Sequence, residues 1–171
     1  PEGVASLGAK DDTSKAFDSG NNFYYLPGEE LQLPHGSSSY REYPARVTGN
    51  DCWSASPSAN DWYETVKLNY GVEYRPDGSR VVHFDPIPAT WYQMRDILCY
   101  WAGEGVDGFR CDMVEMVPVA FWHWVIPQVK KLYDVTFIAE IYRIDNYHRY
   151  LVEGGFDLLY DKSGLYDTLY Q

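Results

Sequence analysis

Two acidic side chains lie at the ends of two apolar segments, and their types suit nucleophilic and acid–base chemistry. Asp112 follows Gly105–Cys111, which reads G-V-D-G-F-R-C, and Glu140 lies in Val135–Tyr142, which reads V-T-F-I-A-E-I-Y. One of two nearby carboxylates can attack as a nucleophile while the other moves a proton as a general acid or base. Whether these acids can act together depends on the elements that carry them.

Those elements are predicted to be two parallel strands joined by a helix. Alternate side chains of a strand share a face, so Arg110 and Asp112 point the same way. On the next strand, Ile138, Glu140 and Tyr142 share a face in the same manner. The carboxyl ends of adjacent parallel strands lie at one edge of a sheet, about 4.8 Å apart. We therefore expect Asp112 and Glu140 to meet at that edge.

The two acids are also expected to differ in protonation. Arg110, two residues before Asp112 on the same face, is predicted to lower the pKa of that aspartate and to keep it ionised. Glu140 has no cation near it in sequence, so its pKa is predicted to be higher and its proton to be retained. The alternative is a buried ion pair between Arg110 and Asp112, with Glu140 as a surface acid.

Two short motifs around these acids resemble conserved segments of the alpha-amylase superfamily, the retaining (β/α)8 glycoside hydrolases. G-F-R-C-D-M-V-E at Gly108–Glu115 is similar to the family's segment on barrel strand four, and F-I-A-E is similar to the strand-five segment. The resemblance implies Asp112 as the nucleophile, Arg110 as its charge partner and Glu140 as the general acid/base. Substrate-binding positions are predicted at Arg110, Glu115 and Tyr142.

The sequence departs from the family pattern in two respects. Glu115-Met116 stands where the family often has Lys-His, so a sugar contact made by that histidine is expected to be missing. The chain also contains no Asn-His and no His-Asp pair, and His-Asp supplies the family's third catalytic carboxylate. We therefore expect the 171 residues by themselves to be inactive or nearly so.

The fold class predicted from these features is α/β, as part of a TIM (β/α)8 barrel. Strands are expected to begin near Val106, Thr136 and Phe156, which are 30 and 20 residues apart, as in successive βα units. A complete barrel typically takes about 250 residues. The chain is therefore interpreted as an internal fragment of a catalytic domain that holds barrel strands four to six.

Residues 1–80 are predicted to form an irregular insertion like domain B of the resembled family, and residues 81–171 the partial barrel. Turn signals are dense in the first part, and Pro76–Gly78 is expected to join two short strands. A helix is expected from Thr90, with a capping box and with Met94 and Trp101 in the core. A second helix is expected after Pro118, with Pro127 kinking it or ending a first segment.

Composition limits the partners and cofactors. The chain has 14 Lys+Arg against 25 Asp+Glu and a net charge of −11, which argues against a nucleic-acid partner, and no apolar run has the length of a membrane span. Three irregularly spaced cysteines predict neither a disulfide framework nor a zinc site. No metal site is predicted, although Asp51, Asp61 and Asn69 are candidate oxygen ligands, and the resemblance leaves calcium open for a longer protein. It also implies a secreted or periplasmic location.

The resemblance implies a glycoside hydrolase acting on α-1,4-glucosidic bonds of starch-like glucans or maltooligosaccharides by double displacement. A first alternative is a transglycosylase or sugar isomerase of the same superfamily, because water and a sugar hydroxyl compete for the same covalent intermediate. A second alternative is a carbohydrate-binding relative that has lost catalysis.

Overall fold

The computed structural model describes residues 5–36, 39–161, 163 and 167–169. The chain separates into two compact units, Pro1–Thr90 and Trp91–Gln171. The division after residue 80, between a domain-B-like insertion and a partial barrel, stays a prediction. Within the described part of the chain, no helix is both long enough and apolar enough to cross a membrane.

The first unit contains little regular structure. Strand β1 (Tyr25–Leu26) pairs antiparallel with β2 (Ala45–Arg46), and β3 (Val72–Tyr74) pairs antiparallel with β4 (Arg80–Val82). The turn between β3 and β4 contains Gly78 with a φ of 82°, a conformation that glycine adopts without strain. The predicted hairpin around Pro76–Gly78 is thus confirmed.

Helix α1 (Ala89–Gly103) crosses from the first unit into the second, and it differs from its predicted form. Thr90 is the second helical residue and is fully buried, and its hydroxyl accepts a 3.1 Å hydrogen bond from Asn22. The predicted capping box is therefore wrong, because Thr90 lies within the helix and not at the position before it. The predicted core position of Trp101 is also wrong, since that residue is 52 % exposed.

Trp91 is the buried aromatic side chain of α1. It is 2 % exposed, and its ring lies 5.6 Å from the rings of both Phe121 and Trp124. These two residues belong to helix α2 (Val119–Leu132), which begins directly after Pro118 as predicted. Pro127 does not end the helix, because α2 continues for five residues beyond it.

The second unit contains a three-stranded parallel sheet in the order β5 (Gly108–Cys111), β6 (Thr136–Ile141), β7 (Leu158–Asp161). Helix α2 connects β5 to β6. The structure is therefore mixed α/β with a parallel sheet, as the spacing of the apolar segments predicted. Parallel strands need such crossover connections, which is why a helical segment of this length separates the two acidic motifs.

Short helical turns follow the strands. A 3-10 turn covers Val114–Met116 after β5, and another covers Ile144–Asn146 after β6. A π-helical turn, Arg149–Glu153, precedes β7, and a short helix α3 covers Asp167–Leu169. The sequence predicts a short helix over Asp145–Val152, and this is confirmed, since residues 144–153 are helical without a break and change from 3-10 to π-helical geometry.

One face of β6 forms the centre of the apolar core. Phe137, Ala139 and Ile141 are 0 % exposed, in agreement with the period of two in the sequence. The buried stripe of α2 contributes Phe121, Trp122, Val125, Ile126 and Val129. This burial fixes the register of β6 and thereby places Glu140 on the opposite face.

Replacing Phe137 with alanine is expected to lower the free energy of unfolding by about 3 to 5 kcal/mol, because it empties a fully buried site. Denaturant titration of the intact protein, followed by tryptophan fluorescence, measures the loss. Leu132→Ala is the control, since Leu132 is 66 % exposed and its truncation is expected to cost less than about 0.5 kcal/mol. Equal losses in the two variants would contradict a core centred on β6.

Candidate active site

The parallel register brings the two predicted acids together. Arg110 is opposite Ile138 and Cys111 is opposite Ala139, so the next position on each strand places Asp112 beside Glu140. The carboxyl groups of Asp112 and Glu140 lie close enough for each to change the pKa of the other. Ionising both acids costs repulsion, so their contact separates the two pKa values.

Arg110 lies against both acids. Its Nη2 is 2.9 Å from Glu140 Oε1, and its Nη1 is 3.3 Å from Asp112 Oδ1. Its guanidinium also lies 5.9 Å from the centre of the Tyr160 ring, within the range of a cation–π contact. The alternative in which Glu140 is a surface acid is wrong, because this residue is only 3 % exposed.

Glu140 accepts hydrogen bonds from two further donors. The backbone N–H of Met113 donates to Oε2 over 3.2 Å, and the hydroxyl of Tyr142 donates to Oε1 over 3.0 Å. Met113 has a φ of 45° and a ψ of 50°, a left-handed conformation that costs a non-glycine residue about 1 kcal/mol or more. The chain turns sharply here, directly after Asp112, at the place where its N–H can reach Glu140.

These contacts reverse the predicted order of the two pKa values. The hydrogen bond from Asp112 lowers the pKa of Glu140 to about 2, with the Met113 N–H and the Tyr142 hydroxyl acting in the same direction. The same hydrogen bond raises the pKa of Asp112 above its usual value, and Arg110 only partly opposes that change. The prediction that Glu140 has the higher pKa of the two acids is therefore wrong for this structure.

The reason for the reversal is the position of Arg110. The sequence places it next to Asp112, but its shorter contact, 2.9 Å against 3.3 Å, is with the buried Glu140. A buried carboxylate with three donors keeps its charge, whereas Asp112, whose side chain is 69 % exposed, has fewer partners.

Glu115 and Tyr142, the other predicted substrate-binding residues, differ in position. Tyr142 contacts Glu140 directly and is 36 % exposed. Glu115 accepts hydrogen bonds from the backbone N–H groups of Tyr142 and Arg143 and from Asn146 Nδ2. The structure thus groups Arg110 and Tyr142 with the two acids, whereas Glu115 contacts the segment that follows β6. The substrate-binding roles of all three residues stay predictions.

Three site residues were missed from the sequence. Tyr160 could have been found by extending the strand spacing, since it is opposite Glu140 in the register. Met113 carries no sequence signal for a left-handed conformation, because it is neither glycine nor asparagine. The contact of Asn146 with Glu115 depends on the folded turn after β6, so the sequence does not indicate it.

The described residues contain no group of three or more His, Cys, Asp or Glu side chains that could hold a metal ion. The candidate ligands have other partners: Asp51 pairs with Lys67 at 2.5 Å, and Asp61 accepts hydrogen bonds from Ser58. Asn69 is fully buried and donates to a backbone carbonyl. These side chains do not fit the calcium site that the resemblance left open.

The cysteines are free thiols, and none has the features of a nucleophile. Burial raises the pKa of Cys111, next to Asp112, to about 12. This thiol therefore stays protonated near neutral pH and acts as an apolar side chain.

The first unit contains a cavity of about 540 Å³, remote in sequence from the two acids. Its lining includes Leu31, Leu33, Tyr40, Glu42, Arg46 and Tyr63. Glu42 Oε2 accepts hydrogen bonds from Arg46 Nη2 and from the Tyr40 hydroxyl, and Glu64 is a second acid in the lining.

Comparison with known proteins gives similarity over part of the chain. An alpha-1,4-glucan:maltose-1-phosphate maltosyltransferase of Cereibacter sphaeroides is 34% identical over 119 residues, which are 66% of this chain and 20% of that protein. The protein of the same name from Picrophilus torridus is 36% identical over 128 residues, 74% of this chain and 16% of that protein. The one from Pseudomonas aeruginosa is 29% identical over 115 residues, or 63% and 17%.

No known family model matches the chain. The matched segments span at most a fifth of the length of these three relatives. The similarities support the resemblance to the alpha-amylase superfamily at the level of an enzyme of α-glucan metabolism.

Proposed function

We propose that the intact protein containing this chain transfers a glycosyl unit to an α-1,4-glucan with retained configuration. The observation that carries the proposal is the meeting of two carboxyl groups, Asp112 and Glu140, at the ends of adjacent parallel strands, with Arg110 against both. A retaining mechanism uses carboxyl groups about 5 to 5.5 Å apart and an inverting one needs a wider gap, so two acids on adjacent strands that one guanidinium contacts together favour retention.

In the proposed reaction, Asp112 attacks the anomeric carbon of the donor sugar while the bond to the leaving oxygen breaks. Glu140 gives its proton to that oxygen, and a glycosyl ester of Asp112 forms. Glu140 then removes a proton from a hydroxyl of the acceptor glucan, whose oxygen attacks the anomeric carbon and releases Asp112. Two inversions retain the configuration, and the proton returns to Glu140.

The proton must lie on Glu140 when the leaving group departs, whereas in the free structure the pKa of Asp112 is raised and that of Glu140 is lowered. In the proposed reaction the two acids share one proton, which passes from Asp112 to Glu140 because a proton of coupled acids belongs to the pair. Arg110 supports the ionised partner in either state, since it contacts both acids.

The similarity to maltosyltransferases favours transfer over the predicted hydrolysis of starch-like glucans. The names of these relatives specify maltose 1-phosphate and an α-1,4-glucan, and we extend this pair to the intact protein as donor and acceptor. Hydrolysis would use the same two acids with water in place of the acceptor hydroxyl.

Product analysis of the intact protein, supplied with maltose 1-phosphate and a short maltooligosaccharide, tests the proposal. We expect glucans lengthened by two glucose units, in excess of free maltose by about tenfold or more, as expected when acceptor binding positions its hydroxyl better than water. Free maltose as the main product would favour the hydrolase. Binding of the glucan with no turnover of either kind would favour the non-catalytic alternative.

A further inference from the structure

Glu115 links the two segments that follow the acid-bearing strands. It lies on the 3-10 turn after β5, and its Oε2 accepts the backbone N–H of Tyr142 over 3.0 Å. Its Oε1 accepts the N–H of Arg143 over 3.2 Å and Asn146 Nδ2 over 2.7 Å. Both carboxylate oxygens are therefore bonded to the segment that follows β6.

We propose that Glu115 is a positioning residue for the acid/base Glu140, acting through Tyr142, and this inference rests on the proposed function. Tyr142 is the residue whose N–H Glu115 accepts and whose hydroxyl donates to Glu140 Oε1. An ionised acceptor forms shorter and stronger hydrogen bonds with N–H donors than a neutral one does. Glu115 thereby fixes the backbone from which the Tyr142 hydroxyl reaches Glu140.

The second donor to Glu140 belongs to the same arrangement. Met113, whose N–H donates to Glu140 Oε2, is the cap residue of the 3-10 turn that carries Glu115. Glu115 therefore joins the segment that supplies the Met113 donor to the segment that supplies the Tyr142 donor. A shift of either segment alters a hydrogen bond to Glu140.

The surrounding backbone is held independently of the Glu115 carboxylate. The hydroxyl of Tyr150, a residue that is 5 % exposed, donates to the carbonyl oxygens of Glu115 and Val117. Ser163 Oγ donates to the Tyr142 carbonyl over 2.6 Å. Loss of the Glu115 charge is thus expected to loosen the link between the segments without unfolding either one.

These contacts also favour positioning over the substrate-binding role predicted for Glu115. A carboxylate offers about four lone-pair directions, and donors from the chain already occupy three of them. A sugar hydroxyl at Glu115 would compete with donors that are fixed in place.

The test uses the intact protein and the variants Glu115→Gln, Tyr142→Phe and the double variant. In Glu115→Gln an amide NH₂ replaces one acceptor oxygen and faces a backbone N–H. We expect kcat to fall by about 10- to 100-fold, the loss typical when an outer residue that orients a catalytic group is removed, with KM changed by less than about threefold. The Glu140 pKa is expected to rise in both single variants, because each weakens a donor to its ionised form.

The double variant provides the decisive comparison. If Glu115 acts through Tyr142, the activity of the double variant is no lower than that of the less active single variant, because the second change removes nothing further. Multiplied losses would overturn the inference, and so would a raised KM with unchanged kcat. Glu153→Gln is the matched control, since Glu153 lies on another short turn and its side chain is 62 % exposed.

Two measurements keep the outcome clear. NMR titration of isotope-labelled glutamate side chains reads the Glu140 pKa without substrate, so an unchanged value in Glu115→Gln overturns the inference even if product analysis rejects transfer. If Glu115→Gln does not fold, Glu115→Asp keeps the charge and withdraws it by one methylene group. The same rise of the Glu140 pKa, smaller in size, is then expected.

Discussion

Replacement of Asp112 by asparagine in the intact protein is expected to lower kcat by about 10⁴-fold or more, a loss typical of a removed nucleophile. The carboxamide keeps the shape of the side chain but cannot form the glycosyl ester. Because the Asp112 side chain is 69 % exposed, its replacement should leave the fold intact. Steady-state rates with a maltosyl donor, together with thermal unfolding, measure the two effects separately.

Chemical rescue distinguishes a nucleophile from an acid that acts at a distance. In Asp112→Ala, azide can enter the space left by the carboxylate and attack the anomeric carbon of an α-glycosyl fluoride. The expected product is a β-glycosyl azide, because one displacement inverts the configuration once. An α-glycosyl azide, or an active Asp112→Asn enzyme, would contradict the assignment of Asp112.

Asp145→Asn is the matched control for these variants. Asp145 is an exposed aspartate on the 3-10 turn after β6 and therefore lies in the same unit as the site. Its replacement removes one negative charge of the same kind, and kcat is expected to change by less than about twofold, as for exposed surface groups.

The meeting of Asp112 and Glu140 could be predicted from the sequence because it depends on two simple periodicities. The two-residue period of each strand determined which side chains share a face. The helical stretch between the two motifs indicated that the two strands are parallel. The parallel order of β5, β6 and β7 followed from the same argument. The barrel to which these strands are assigned stays a proposal.

The electrostatics of the site could not be predicted, because they depend on distances across strands. Arg110 is two residues from Asp112 along the chain but makes its shorter contact with Glu140, which is 30 residues away. The donors to Glu140 include a backbone N–H that becomes available only through the left-handed Met113. Proximity in sequence was therefore a poor guide to which acid is charged.

Burial of the helices was predicted only in part. Periodicity identified α1 and α2 as amphipathic, but it did not show which aromatic residue of α1 faces α2. Trp91 packs against Phe121 and Trp124, whereas Trp101 is half exposed. A stripe of apolar residues on a helix is wider than a single contact, so packing partners decide which part of it is covered.

Arg110→Met is expected to shift the pH–rate profile of the intact protein to higher pH and to lower the rate by about 10²- to 10³-fold near neutral pH, as for loss of a preorganised charged donor. Arg110 lowers the pKa of both Asp112 and Glu140, so its removal raises both values. Asp112 must be ionised to attack, and a higher pKa leaves less of it ionised at a given pH. Activity should therefore recover partly as the pH rises.

The alkaline side of the profile should move in the same direction, because a higher Glu140 pKa keeps its proton available at higher pH. Arg110→Lys retains the charge and should keep the profile near its original position, while the loss of a forked contact with two acids lowers kcat. Arg149→Met is the control, since the Arg149 side chain is 58 % exposed and lies 3.7 Å from Glu153. A pH–rate profile that does not move in Arg110→Met would mean that Arg110 does not govern the charge of the two acids. The proposed sharing of one proton between Asp112 and Glu140 would then lack the positive charge that balances it.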